Sequence, residues 1–485
     1  MRAGRFQVGW AALLCIVAVW PMDYAFAQCE GQASSPLSAA DCAARGTPPD
    51  KIRSIDPTRQ YSLAELIDVA EHNNPRTRIA WERAKQRADQ LGIARSAYYP
   101  VFAALAIFAD QRIVSPFPKP LAPQGYTMVE VPLVQPELTL DYLIFDFGRR
   151  GAKVDEATAE KLAAGANFIQ VNQEVAYRVS SSYYKLVTAQ ERLEAAQETL
   201  KTAETTQDAA EQQLRNGRST LPDVLNARAE TAQAIFDRES ANGDERIARV
   251  ALTEDIGVDP TPDISIDAQR NAPLPQTLNL SIEALIDRAL SSRPDLMAQA
   301  AEIRAADDAI REARAEYRPR IVLNGSGAET SVWPTTSYGE LGSASQFTWA
   351  ASLGVEWRIF DGGLRRNELA AAESKRREAG NEMREKHDRA IREVWTGYIA
   401  FRTALQKEHA AEALLQAANT SYSASLDAYK YGVKNLVDVL TAEKQLAQAR
   451  LSSVSARSQL LLEAVDLDFV TGNLLRSLPS ATRAN

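Results

Sequence analysis

The sequence predicts a mainly α chain with a small β part, organised as two structural repeats of long antiparallel coiled-coil helices. Three observations carry this prediction. The stretch Gly217-Arg-Ser-Thr-Leu221-Pro-Asp223-Val-Leu225 returns as Gly432-Val-Lys-Asn-Leu436-Val-Asp438-Val-Leu440, and from Gly217 to Gly432 the offset is 215 residues. Before and after each copy, apolar residues recur at helical spacing over long runs. Further upstream of each copy the period changes to strict alternation, so each repeat adds one β-hairpin.

At the N-terminus Arg2 and Arg5 precede an apolar run from Val8 to Trp20, and Ala25-Phe26-Ala27 offers a small-x-small cleavage site. Residues 1–27 therefore read as a secretory signal, too short for a lasting membrane anchor. Residues 28–60 read as an N-terminal arm. Cys15 leaves with the signal, so Cys29 and Cys42 remain as candidates for a disulfide in an oxidising compartment, with two free thiols as the alternative. Gln28 stands where a lipidation signal wants a small residue, which speaks against a lipid on Cys29. The net charge of −8 argues against a nucleic-acid partner. No later run reaches the ~18 consecutive apolar residues of a transmembrane helix.

The first repeat, residues 61–258, opens with Ser62-Leu63-Ala-Glu-Leu66, passes a break at Pro75 and reaches Tyr98-Tyr-Pro100. The second, residues 280–473, opens with Ser281-Ile282-Glu-Ala-Leu285, breaks at Pro294 and reaches Tyr317-Arg-Pro319. Each block predicts a short helix and a longer one that stops at Tyr-x-Pro. A Pro-rich linker, residues 259–279, joins the repeats, and residues 474–485 form a polar tail.

Beyond each Tyr-x-Pro comes a hairpin, at about residues 101–146 and about residues 320–361. In the first, Phe102, Ala104, Ala106 and Phe108 alternate, and Leu138, Leu140, Tyr142 and Ile144 face away from Thr139 and Asp141. In the second, Leu353, Val355, Trp357 and Ile359 face away from Gly354 and Glu356. One apolar face bearing aromatics and one bearing carboxylates suits a barrel wall between lipid and water, with a soluble sandwich as the alternative. The hairpins exit through Phe145-Asp146-Phe147-Gly148-Arg149-Arg150 and Phe360-Asp361-Gly362-Gly363-Leu364-Arg365-Arg366, junctions with a capping carboxylate.

Helical hairpins follow, at about residues 153–258 and about residues 365–472. Val171, Val175, Val179, Tyr183, Leu186, Leu193 and Leu200 keep spacings of 3, 4 and 7, as does the series Ile391, Val394, Tyr398, Phe401, Leu405 with spacings of 3 and 4. A seam of roughly 60 residues at ~1.5 Å each makes a rod of roughly 90 Å, which needs neighbouring helices along its whole length. Gly217 and Gly432 mark the hairpin turns, because such a turn needs a residue that tolerates positive φ. Thr220-x-x-Asp223 and Asn435-x-x-Asp438 resemble capping boxes, so both carboxylates have a structural reading as caps.

Enzymatic readings are poor. His72, His387 and His409 are scattered without metal-ligand spacing, and there is no nucleophile elbow or phosphate loop. Asp146-Phe147-Gly148 spells the magnesium turn of protein kinases, but no glycine-rich loop, strand lysine or His-Arg-Asp loop accompanies it. No enzyme activity, cofactor or metal is expected.

Two hairpins give four strands, whereas the smallest transmembrane barrels have about eight, and unpaired edges cannot sit in lipid. A spanning barrel must therefore be shared between chains, and geometry alone does not choose between two chains and three. The duplicated Tyr-x-Pro, Phe-Asp-x-Gly and Gly-x-x-x-Leu-x-Asp-Val-Leu landmarks, taken together and in order, resemble the TolC-like outer-membrane efflux proteins from about Tyr61 to Gly472. The resemblance implies a homotrimer with a shared outer-membrane β-barrel in contact with lipid, continued by a periplasmic α-barrel. It also implies a periplasmic adaptor and an inner-membrane transporter of the RND or ABC type as partners. Asp438 matches the acidic ring of the family's periplasmic gate, and Tyr429 and Lys434 match the residues that hold its tips together. Asp223 holds the matched place in the first repeat, so a trimer would bring six carboxylates to that mouth. Relatives with a second acid one turn on differ here, where Thr441 stands. Gly217, Leu221, Gly432 and Leu436 fall where the family's adaptor docks. The implied function is a passive exit duct for small molecules or protein, and the competing class is a secreted coiled-coil scaffold without a pore.

Overall fold

The computed structural model describes residues 55–56, 59–120, 122–260, 264–267, 281–337 and 339–474. The signal segment, Cys29, Cys42 and most of the arm, linker and tail lie outside these residues. The first repeat contains α1 (Leu63–Asn73), α2 (Pro75–Ser96), β1 (Val101–Pro116), β2 (Tyr126–Phe145), α3 (Arg149–Arg215) and α4 (Leu221–Ile256). The second contains α5 (Ile282–Ser292), α6 (Pro294–Ala315), β3 (Arg320–Val332), β4 (Ala344–Glu356), α7 (Leu364–Lys430) and α8 (Leu436–Val470).

Local chemistry sets the boundaries. Ser62 and Glu65 close a capping box on α1, and Ser281 caps α5 by accepting from Ala284 N at 3.3 Å. Pro75 and Pro294 each occupy the first turn of the next helix, where a missing N–H costs nothing. The helices α3 and α7 are each 67 residues long, and α3 starts a few residues before the point the periodicity suggests. At ~1.5 Å per residue each spans roughly 100 Å.

The four long strands form an antiparallel meander in the order β1-β2-β3-β4, with a short ladder, Thr335–Thr336 against Gly339–Glu340, added beside β2. Their register sorts side chains by face. Phe102, Leu140, Gly325 and Ala351 share one row, and Ala104, Leu138, Gly327 and Trp349 the next row on that face. Rows on the opposite face place Asp141 beside Asn324 and Ser352, and Thr139 beside Ser326. Two sequence expectations need correction. A bulge between Leu143 and Phe145 sets Phe145, not Ile144, across from Ile321. In the second hairpin the strand ends at Glu356, so Trp357 and Ile359 lie beyond it, and Trp357 Nε1 donates to the Tyr317 carbonyl at 3.1 Å.

The elbow from sheet to helix joins two motifs that are distant in sequence. The Asp146 carboxylate accepts from Arg150 N at 2.8 Å and Nε at 3.2 Å, while the Arg150 guanidinium reaches the carbonyls of Ala97, Leu143 and Ile144 and lies 4.9 Å from the Tyr98 ring centroid. In the second repeat Arg365 pairs with Asp361 and lies 5.0 Å from the Tyr317 ring centroid. Each Tyr-x-Pro tyrosine is thus the platform for the arginine that follows the Asp-x-Gly turn.

The three largest apolar clusters among the described residues lie along the rod. One packs α1 against α3 and α4 through Leu66, Val179, Leu186, Leu252 and Ile256. Its counterpart packs α5 against α7 and α8 through Leu285, Val394, Phe401, Leu460 and Leu467. The third, near the hairpin turns, unites all four long helices through Ala210, Val224, Tyr422, Leu426, Leu436 and Val439. In that half of the rod α3 packs on both α4 and α8, and α8 on α7, which gives a layer in the order α4-α3-α8-α7. Both outer helices carry exposed apolar side chains, Phe236 and Ile247 on α4 and Trp395, Ile399 and Leu414 on α7. No helix among the described residues is long and apolar enough to cross a membrane.

Candidate functional site at the helical tips

The two helical turns lie side by side at the end of the rod furthest from the sheet. Gly217 has φ +70° and Gly432 φ +76°, the left-handed conformation that favours glycine. Each turn closes with Schellman-type bonds: Arg218 N donates to Gln213 O, and Val433 N to Ala428 O, both at 2.8 Å. Gln213 Nε2 donates to Lys430 O at 2.9 Å and ties the end of α3 to the end of α7.

The two matched aspartates differ in environment. Asp223 Oδ2 accepts from Thr220 N at 3.0 Å, Thr220 Oγ1 at 2.7 Å and Ser219 Oγ at 3.1 Å. The hydrogen bond from the Thr220 hydroxyl, followed by that from its backbone, holds the Asp223 carboxyl below the usual carboxylate range. In the second turn the cap is Asn435, whose Oδ1 accepts from Asp438 N at 2.9 Å. Among the described residues the exposed Asp438 carboxylate has no hydrogen bond or ion pair. Asp223 is therefore a cap, whereas Asp438 is a free carboxylate on the outermost turn.

The remaining sequence candidates divide in the same way. Tyr429 is buried in the tip cluster, and its hydroxyl has no hydrogen-bond partner among the described residues. Lys434 Nζ donates to Ser425 Oγ at 3.2 Å and makes no ion pair with either aspartate. Leu221 is 60% exposed, but its sequence counterpart Leu436 is 4% exposed and belongs to the core.

The sequence reading missed the exposed apolar trio Tyr431, Val433 and Val437. The signal was Tyr431 and Val433 on either side of Gly432 and Val437 just after the cap, apolar residues at a turn. It also missed a buried polar cluster further up the helices, where Thr206 Oγ1 donates to Glu443 Oε2 at 2.7 Å and lies 3.2 Å from the Tyr422 hydroxyl. Burial pushes the Glu443 carboxyl above its ordinary range. Nothing in the sequence pairs residues so far apart. On α7, Glu408, His409 and Glu412 bring their ligand atoms within 4.8 Å of one another on a solvated face, a grouping that the spread of histidines along the chain hides.

Comparison with known proteins agrees with this geometry. The family model described as outer membrane efflux protein matches residues 66–258 and 285–473, that is, both repeats. Protein CyaE of Bordetella pertussis is 29% identical over 458 residues, covering 92% of this chain and 90% of the relative. Outer membrane protein OprJ of Pseudomonas aeruginosa is 26% identical, covering 84% of this chain and 82% of the relative. Among solved structures, a membrane protein from Pseudomonas aeruginosa superposes with a TM-score of 0.72 at 26% identity, covering 84% of this chain and 92% of that one. The outer membrane protein VceC of Vibrio cholerae superposes with a TM-score of 0.67 at 21% identity, covering 84% of this chain and 96% of that one. A match over both repeats, a shared fold and a sheet with one apolar face lead to one conclusion: the chain belongs to the outer membrane efflux protein family.

Proposed function

We propose that this chain is the outer-membrane duct of a tripartite export system, a passive exit route across outer membrane and periplasm for efflux or type I secretion. The observation that carries the reading is that sheet and helical layer are both open at their two edges. Among the described residues β1 and β4 each have one unpaired edge, and α4 and α7 each have an exposed apolar stripe. Lipid does not tolerate open strand edges, so copies of the chain close both layers at once. A homotrimer, three chains of four strands, gives a twelve-stranded barrel above a ring of twelve long helices.

The periplasmic mouth is then lined by Asp438, with Asp223 capping beneath it and Tyr429 and Lys434 holding the second turn. A periplasmic adaptor docks on the glycine turns and Leu221, with Leu436 anchoring them from the core. An inner-membrane transporter of the RND or ABC type supplies the energy. The test is conductance of the purified protein in planar bilayers. Wild type conducts weakly, and replacing Asp438 and Lys434 together raises the conductance and weakens cation preference. A trimer that never conducts, even when so altered, rejects the channel in favour of a scaffold.

A further inference from the structure

Between the tips and the middle of the rod, the two helical hairpins meet across α3 on one side and α7 and α8 on the other. Most of that seam is alanine, valine and leucine, but at one level it is polar and dry. Thr206 is 1% exposed, Glu443 6% and Tyr422 9%. The Thr206 hydroxyl donates to the Glu443 carboxylate, and Tyr422 Oη lies 3.3 Å from Thr202 O. Arg450 Nη1 donates to Thr202 Oγ1 at 3.1 Å and lies 3.4 Å from Thr199 Oγ1. Each of these contacts crosses from one hairpin to the other.

We propose that Glu443, with Thr206 and Tyr422, is a positioning residue for the gate: a proton-dependent clasp that sets how firmly the two hairpins hold together above the tips. The inference rests on the gated-duct reading for its purpose, but not for its geometry. A buried carboxylate with one hydroxyl donor is poorly solvated when ionised, and its cost falls once it is protonated. The charged and titratable groups facing it are Glu230 from α4, Lys444 and Arg450 from its own helix, and Tyr422 from α7; Glu198 of α3 acts on Arg450. Lys444 is engaged by Glu230 at 2.8 Å, and Arg450 by the threonines, so neither guanidinium nor ammonium contacts the Glu443 carboxylate.

The sign follows. A carboxyl whose folded value is raised stabilises the closed seam at low pH, and that contribution is lost as pH rises through the raised value. The seam is tight in acid and looser at neutral pH. One proton per chain changes its opening constant by at most about tenfold per pH unit.

The test is hydrogen exchange of residues 199–213 and 436–450 in the intact assembly, corrected for intrinsic rate, from about pH 4.5 to about pH 8, a window that brackets a raised carboxyl. Wild type is expected to lose protection as pH rises. Glu443→Gln keeps the low-pH protection throughout, Thr206→Val loses protection at neutral pH, and Thr206→Ser restores it. Wild-type protection that does not vary with pH, or an equal variation in Glu443→Gln, overturns the clasp. Conductance read in parallel separates the two readings: a channel that conducts with an unaltered pH profile in Glu443→Gln removes the clasp and leaves the duct, whereas pH-dependent exchange in a protein that never conducts removes the duct and leaves the clasp.

Discussion

Asp223 and Asp438 occupy the same place in two copies of one motif, yet only the first uses its carboxylate locally. Asp223→Ala removes three hydrogen bonds at the start of α4, and loss of such a cap costs about 1 kcal/mol. Because the folded carboxyl of Asp223 is held low, its contribution is present above the unfolded value, near pH 4, and disappears as pH falls through the folded one. Protection from exchange at residues 217–226, corrected for intrinsic rate, is expected to fall in Asp223→Ala and in wild type below that pH. Asp438→Ala, which removes a carboxylate without a partner among the described residues, leaves exchange in its own turn unchanged and acts only on ion passage. Equal loss of protection in both variants disproves the distinction. Sequence alone could not make it, since Thr220 and Asn435 both look like caps, and only geometry tells which side chain takes the bond.

At the level of elements, much was legible because the chain repeats itself. The helical hairpins, the Pro-marked breaks and the strand pairs follow from periodicity, and duplication separates signal from coincidence. What failed did so for local reasons: a bulge at Ile144 breaks strict alternation, and β4 stops one residue short of Trp357 because that chain segment turns to meet Tyr317. Contacts between distant segments were invisible. Gly257 is an example, since it reads as an ordinary helix stop with φ +82°, but a Cβ there would lie 2.7 Å from the Asn74 Cα at the α1–α2 junction. Gly257→Ala therefore meets both strain and backbone overlap, and we expect a loss of about 2 kcal/mol or more in thermal unfolding. Gly243→Ala, inside α4 with open space around its Cβ position, is expected to stabilise by up to about 1 kcal/mol. If both changes have the same sign, close packing at the junction is not what fixes Gly257.

For the whole molecule, the unresolved tension in a single chain is its exposed apolar surface. Trp349 is 76% exposed, and its row, Ala104, Leu138 and Gly327, offers no second layer to cover it. An aromatic of this size in water is unfavourable, and on an outer-membrane barrel it faces lipid instead. Thr348, next along β4, lies in the row of Glu137 and Ala328 and faces the opposite way, into the proposed wet duct. The two positions are adjacent in sequence and share one edge strand, so strand propensity and edge effects cancel between them. Arginine at Trp349 then has to reside in hydrocarbon, at about 2–4 kcal/mol if the site lies near the bilayer midplane, whereas arginine at Thr348 costs about 1 kcal/mol or less. Unfolding of Trp349→Arg and Thr348→Arg from lipid vesicles in denaturant measures the difference. The lipid-facing assignment requires Trp349→Arg to be the weaker protein; equal midpoints would mean that water reaches both faces and that the sheet is no barrel wall.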